Sequence, residues 1–213
     1  MSDHSAQRRE LVATANLLFA EGMQSGTGGN VSVRVPGRDL MVVKARGTSF
    51  QTPGIDAAVA CDFAGVAEAG SALPSKESLL HGAIYRRFPA VGAIVHCHSP
   101  WSNAWALGHD LLPCATYHSA DKLGGPLAVI DAGQSMVRPE YFEAVMAGFD
   151  RPERKAVILR RHGLVAIGAS LDEARWNAEL VEETAKIALL GALVDPAGVP
   201  LPADLPARTG QAG

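Results

Sequence analysis

Cysteine is scarce in this chain of 213 residues: there are three, Cys61, Cys97 and Cys114. Three cysteines cannot build a disulfide framework, and no two form the CxxC pair of a zinc ribbon. They read instead as small buried hydrophobes of a protein kept in a reducing cytoplasm. Long apolar runs are also missing: no stretch reaches the roughly eighteen residues of a membrane helix. The N-terminus, MSDHSAQRREL, lacks the apolar centre of a secretory leader. Nor is there an excess of positive charge. Nineteen Lys and Arg against 22 Asp and Glu leave a net charge of −3, without the basic excess that nucleic-acid binding requires. What remains is 47% apolar and 19% charged, ordinary for a globular enzyme with one sizeable core.

The stretch Pro74 to Pro100 organises the rest. It predicts a helix, a short turn and an apolar strand ending in His96-Cys97-His98. Alternate strand residues share a face, so His96 and His98 project together, about 7 Å apart along the strand, and Cys97 points away. Two imidazoles so placed can converge on one divalent metal. Around this anchor, Ser5 to Gly22 predicts an amphipathic helix. Val31 to Val35 alternates as a half-buried strand, and Leu40 to Ala45 makes a hairpin with it across Pro36-Gly-Arg-Asp39. Ala57 to Phe63 is a third strand and Gly65 to Leu73 a loop. Trp101 to Leu107 predicts a short helix, Pro113 to Asp121 an irregular polar segment, Leu127 to Asp131 a strand and Arg138 to Phe149 a helix. Ala156 to Leu159 and Leu164 to Ile167 are strands around Arg160-Arg161-His162-Gly163. A capping box, Ser170-Leu-Asp-Glu173, opens a long helix to about Val194. Four prolines from 196 onward make the remainder a loose tail, so the expectation is one domain over 1–195 and a flexible 196–213. Helices and strands are mixed without regular βαβ alternation, which favours an α/β fold with a mixed or antiparallel sheet covered by helices.

Of seven histidines, His4 and His109 fall in segments expected to be exposed. His81 lies one turn after Glu77 on the same helix face, which fits a hydrogen-bonding neighbour of the site better than a ligand. His162 follows a buried strand and precedes Gly163, which permits a sharp turn. With His96 and His98 already paired, it completes a possible His₃ set. Glu77, at a helix start where the dipole favours its charge, is the candidate carboxylate. Three imidazoles and a carboxylate suit Zn²⁺, with Mn²⁺ or Co²⁺ as alternatives. The loops Gly26 to Asn30 and Arg46-Gly47-Thr48, with Ser75 at a helix N-terminus, present backbone N–H groups and hydroxyls to an anion. They match neither a dinucleotide fingerprint nor a Walker loop.

The ordered set Gly28-Gly-Asn-Val-Ser32, Pro74-Ser75 with Glu77, His96-Cys-His98 before Ser99-Pro100, and Arg161-His162-Gly163 resembles the class II aldolase/adducin family over about residues 8 to 192. That resemblance implies a three-layer αβα sandwich around a mostly antiparallel sheet. It implies a homotetramer with active sites between subunits, a small anionic substrate, and one divalent metal per subunit. It makes His96, His98 and His162 the metal ligands. Glu77 becomes a further ligand and base, and Gly29, Asn30, Gly47 and Ser75 phosphate-binding positions. It makes Tyr117 the proton donor to a substrate oxygen in a neighbouring subunit. The implied activity is carbon–carbon cleavage through a metal-stabilised enediolate, by an aldolase of phosphorylated sugars or related hydroxy-carbonyl compounds. Decarboxylation of a 3-oxo acid is the alternative. Epimerase, dehydratase and adducin-like interaction roles lie further off. The chain departs from the aldolase pattern at Lys76, where a second serine is usual, and at Arg46, where a small hydroxyl residue is usual. Both add positive charge that suits a second anionic group, and Lys76 resembles the family's 3-oxo-tetronate 4-phosphate decarboxylase branch. No tyrosine or histidine follows residue 162 to serve as a late catalytic residue.

Overall fold

The computed structural model describes residues 4–51, 53–149 and 154–194; the expected tail over 196–213 lies outside them. Strands β1 (Asn30–Arg34), β2 (Leu40–Lys44), β3 (Ala58–Asp62), β4 (Ala93–Cys97), β5 (Leu111–Leu112), β6 (Leu127–Ile130), β7 (Ala156–Leu159) and β8 (Gly163–Gly168) form one sheet in the order β3-β2-β1-β4-β8-β7-β6-β5. Every pairing is antiparallel except β6 with β7.

Strand alternation divides the core in two. One face carries Val31, Val42, Ala93, Val95, Cys97, Leu164 and Ala166, and packs under α1 (Ser5–Ala20), α3 (Pro100–Ala106), α4 (Tyr117–Leu123) and α6 (Leu171–Val194). The other carries Met41, Val43, Ile94, Val157, Val165 and Ile167, under α2 (Ser78–Arg87) and α5 (Phe142–Gly148). The architecture is the expected αβα sandwich with a mixed, mostly antiparallel sheet. No helix among the described residues is long and apolar enough to cross a membrane.

Four local expectations are corrected. β1 is not half-buried: Ser32 is fully enclosed, because α2 covers its face and the Ser32 hydroxyl bonds His81 Nδ1 at 2.7 Å and the Tyr85 hydroxyl at 2.8 Å. Part of the polar segment 113–121 is helical, since Thr116 caps α4 in a reciprocal box with Ser119. The predicted helix 138–149 begins as a 3₁₀ turn, Pro139–Tyr141, before α5. His4 is buried rather than exposed. The long helix α6 starts where predicted, with Ser170 Oγ accepting from Glu173 N–H, but the Glu173 carboxylate reaches back to Ala169 N–H rather than to Ser170.

The turn before Gly163 also differs from its sequence reading. The left-handed residue is Arg161, with φ 57°, whereas Gly163 is needed for clearance. A Cβ there would lie 2.2 Å from the Cys97 carbonyl oxygen. Gly163→Ala should therefore force β8 away from β4 and destabilise the fold by about 1–3 kcal/mol, the usual range for overpacking. A denaturant midpoint unchanged from the parent protein would contradict this.

Candidate metal centre and anion pocket

The centre forms where three strand ends meet on the face covered by α2. β4 ends at Cys97, and His98 continues past it. There the side chain of Gln24 takes over the pairing: its Oε1 accepts from His98 N–H at 2.7 Å. The glycine loop fits tightly over this junction. At Gly29, φ is +59°, and a Cβ would sit 2.3 Å from Gln24 Oε1 and 2.7 Å from the His96 carbonyl oxygen, so only glycine is accommodated. Cys97 points into the opposite core, as alternation requires.

His162 arrives from the β7–β8 turn. Arg160 pins that turn to the end of α3 by donating to the Ala106 carbonyl at 2.5 Å and pairing with Asp110. The donor atoms of His96, His98 and His162 all lie within 4.8 Å of one another, and His96 Nε2 is 3.2 Å from His98 Nε2. Nitrogen ligands about 2.0–2.1 Å from a tetrahedral zinc stand roughly 3.3 Å apart, so the arrangement is close to what such an ion requires. The donor chemistry agrees. A backbone carbonyl only accepts, so the 2.8 Å contact of His96 Nδ1 with Leu164 O places a proton on Nδ1 and turns Nε2 inward. Both ring nitrogens of His162 are buried without a hydrogen-bond partner, an arrangement that is costly unless something else uses them. The three imidazoles and Glu77 thus fit a divalent metal.

Glu77, 6% exposed, is the residue preceding α2. Its Oε2 lies 3.0 Å from His96 Nε2 and accepts from Asn30 Nδ2 at 3.1 Å. Its Oε1 is 3.6 Å from His162 Nε2, too long for a hydrogen bond, and accepts from Val137 N–H at 3.3 Å. Burial pushes this carboxyl's pKa upward, but His96, His162 and the Val137 N–H outweigh it and hold the group well below the usual carboxylate range. His96 moves oppositely: burial opposes its charge, and the facing carboxylate raises its pKa. Burial, reinforced by the His96 charge, lowers His98 and His162 to about 4, leaving them neutral electron-pair donors at neutral pH. His81 is fully buried and bonded to Ser32 rather than turned into the cluster, with its pKa lowered to about 3 by burial.

Above the cluster opens a cavity of about 380 Å³, lined among others by Gly29, Asn30, Arg46, Gly47, Ser75, Lys76, Glu77 and His98. Every anion-binding candidate from the sequence therefore faces one space, although the Asn30 amide nitrogen is already engaged by Glu77. Tyr117 does not line this cavity. It is 80% exposed at the start of α4.

Three contributors escape the sequence reading. Lys44, 3% exposed, lines the cavity. It donates to the carbonyls of Thr27 at 3.1 Å and Thr48 at 2.5 Å, tying the two anion loops together. Burial lowers its pKa to about 8. A lysine closing an apolar strand just before Arg46-Gly47 was the available signal. The loop carrying Ser135, Met136 and Val137 walls the cavity and touches Glu77, a long-range approach with no local signature. Asn103 donates to the carbonyls of Ser99 at 3.0 Å and His162 at 3.3 Å, bridging the segment after His98 to the turn bearing His162. We expect Asn103→Ala to weaken metal affinity about 10–100-fold, as losses of supporting hydrogen bonds do. Chelator competition will measure it, and an unchanged affinity would reject the bridge as a support.

An αβα sandwich with three histidines and a glutamate converging beside a cationic cavity defines a class of protein whose residues could hold a divalent metal. The chain belongs to the family described as Class II Aldolase and Adducin N-terminal domain, whose model matches residues 9–189. It is 29% identical over 202 residues to L-ribulose-5-phosphate 4-epimerase UlaF of Salmonella paratyphi C (strain RKS4594), covering 91% of this chain and 89% of the relative. Among solved structures it resembles an L-fuculose 1-phosphate aldolase with TM-score 0.82 and 28% identity, covering 90% and 88% of the two chains. YgbL from Escherichia coli, titled a putative aldolase/epimerase/decarboxylase, matches with TM-score 0.77 and 27% identity over 87% and 89%.

Proposed function

We propose that this protein is a metal-dependent carbon–carbon lyase acting on a small anionic hydroxy-carbonyl compound, in the manner of an aldolase of phosphorylated sugars. The observation that carries this reading is the convergence of His96, His98, His162 and Glu77, of which His98 and Glu77 line a cavity shared with Lys44, Arg46 and Lys76. The names borne by similar proteins, a sugar-phosphate aldolase and a sugar-phosphate epimerase, support the same class of substrate.

His96, His98 and His162 would hold the ion, with Glu77 as a displaceable further ligand. Zinc suits this donor set best, and Mn²⁺ or Co²⁺ are also compatible. A divalent ion there supplies Lewis-acid polarisation of a substrate carbonyl. The protein's own groups do the rest. Glu77 takes and returns a proton at Oε1 or Oε2, oriented by Asn30 and the Val137 N–H. Gly29, Gly47 and Ser75 receive the substrate's anion, and Lys44 holds their loops in register. Tyr117, exposed on α4, would serve the departing oxygen in a neighbouring subunit of a cytoplasmic homotetramer.

Decarboxylation of a 3-oxo acid is the second reading. It is favoured by Arg46 and Lys76, whose charge exceeds what one phosphate cradle needs. Screening phosphorylated ketoses and 3-oxo acids, with aldehyde and CO₂ both monitored, separates the two. Aldehyde without CO₂ establishes aldol cleavage and rejects the decarboxylase; CO₂ release does the reverse. Purified protein without stoichiometric transition metal, active on these substrates nonetheless, would overturn the metal-dependent reading.

A further inference from the structure

Helix α3 is held at its N-terminus by a residue of another helix. Its N-cap is Ser99 and its first residue Pro100, an order in which the serine hydroxyl ordinarily accepts from the second or third helical N–H. Here it does not cap: Ser99 Oγ lies 2.7 Å from Ser102 Oγ. The two N–H groups left over, of Trp101 and Ser102, donate instead to Glu182 of α6, one to each carboxylate oxygen and both at 2.8 Å. Glu182 is buried, and among the described residues no lysine or arginine forms an ion pair with it. Burying a carboxylate is costlier than an ordinary cap is stabilising, and the ordinary cap was within reach of Ser99. Stabilising a seven-residue helix is therefore a poor account of Glu182.

What α3 carries gives a better one. Ser99 follows His98 directly in the chain, and Asn103, one turn into α3, donates to the carbonyls of Ser99 and His162. The first turn of α3 thus joins the segment of one candidate ligand to the turn bearing another, and Glu182 fixes that turn to α6. Helix α6 is in its turn registered on the sheet. Ala174, Ala178 and Val181 lie in the core beneath it, and Asn177 donates to the Ile167 carbonyl at 2.9 Å, on the strand β8 that follows His162. We infer that Glu182 is a positioning residue for the metal centre: from the opposite layer of the sandwich it sets, through α3 and Asn103, where His98 and His162 stand relative to one another. This rests on the proposed metal centre and adds to it a residue that does not line the cavity.

Chelator competition for zinc in Glu182→Gln tests it. Glutamine keeps the side chain's length, but one of its terminal atoms is a donor, so either Trp101 N–H or Ser102 N–H loses its acceptor. Zinc should bind about 10–100-fold more weakly, the usual loss when a support behind a ligand is removed. The d–d absorption bands of the cobalt-loaded variant should shift with the altered ligand geometry. A role confined to stabilising the helix would lower the denaturant midpoint of the metal-free protein and leave zinc affinity and cobalt spectrum unchanged, and that result would overturn the inference. A double-mutant cycle with Asn103→Ala tests the route. Because Glu182 acts through Asn103, Glu182→Gln should weaken zinc by no more than about twofold once Asn103 is already alanine. A loss as large as in the unaltered background would overturn the inference. Should the glutamine variant not fold, the same cycle with Glu182→Asp, which keeps the charge and shortens the reach, decides on the same terms. Failure of the underlying reading is read separately. Unaltered protein that takes up no zinc would overturn the metal centre and the inference together, whereas zinc held equally tightly with and without Glu182 overturns the inference alone. Protein that shows the Glu182 dependence but cleaves no carbon–carbon bond would overturn the proposed reaction and leave the role of Glu182 standing.

Discussion

His96→Ala is expected to yield folded protein that no longer carries stoichiometric metal and has lost the proposed carbon–carbon cleavage. His96 is central to the cluster: its ring contacts Glu77 and His98 through Nε2 and is locked by Leu164 through Nδ1. Without it, the set falls from three imidazoles and a carboxylate to two imidazoles and a carboxylate whose Oε2 has lost the imidazole facing it at 3.0 Å, so metal affinity should drop. If Lewis-acid stabilisation provides about 4 kcal/mol of the lowered barrier, the rate falls roughly 10³-fold. Elemental analysis and a cleavage assay measure the two losses, and far-UV circular dichroism verifies the fold. A variant that keeps both metal and activity would refute the assignment. The substitution also removes the main charge holding the Glu77 carboxyl down, so in the metal-free variant its pKa should rise.

Glu77→Gln should be the second most damaging change, and in a different way. The three imidazoles stay in place, so metal content should persist while kcat drops about 10²–10⁴-fold, the usual contribution of a positioned acid–base group. Near-isosteric glutamine cannot accept from both Asn30 and Val137, because one of its terminal atoms is a donor. Unchanged kcat in metal-loaded variant protein would remove Glu77 from proton transfer.

Stability without metal offers an independent readout of the same pair. Glu77 is shifted down, so its contribution is present above the ordinary carboxylate range and lost as pH falls through its depressed folded value. His96 is shifted up, so its contribution is full below the ordinary imidazole value and lost as pH rises through its elevated one. The metal-free protein should therefore be most stable in the window between those two limits. Glu77→Gln should flatten that optimum, as chemical denaturation across pH will test.

Much of this centre was legible in the sequence because its signals are local. The period-two alternation of β4 places His96 and His98 on one face and Cys97 on the other whatever the rest of the chain does, and the structure keeps that division. The helix dipole and the Pro74-Ser75 start mark Glu77 in the same local way. Where the reading went astray, a partner distant in sequence decided the matter. Ser32 looked solvent-facing until α2 covered it. Gly163 looked like a turn residue, whereas what demands glycine there is the Cys97 carbonyl, 66 positions earlier in the chain.

The sequence alone determined a mixed α/β class, the paired imidazoles of β4 and the candidacy of His162, because periodicity, capping and residue chemistry act within a few positions; the αβα layering and the departures at Arg46 and Lys76 came with the family resemblance. Tertiary structure decided the rest. It closed His162 onto the pair through Asn103 and Arg160 and drew Lys44 between two loops. It also brought Ser135 and Met136 across to line the cavity beside Arg46 and Lys76. The reason is physical: strand ends from separate parts of the chain become neighbours only once both faces of the sheet are buried, and no local pattern records which ends will meet.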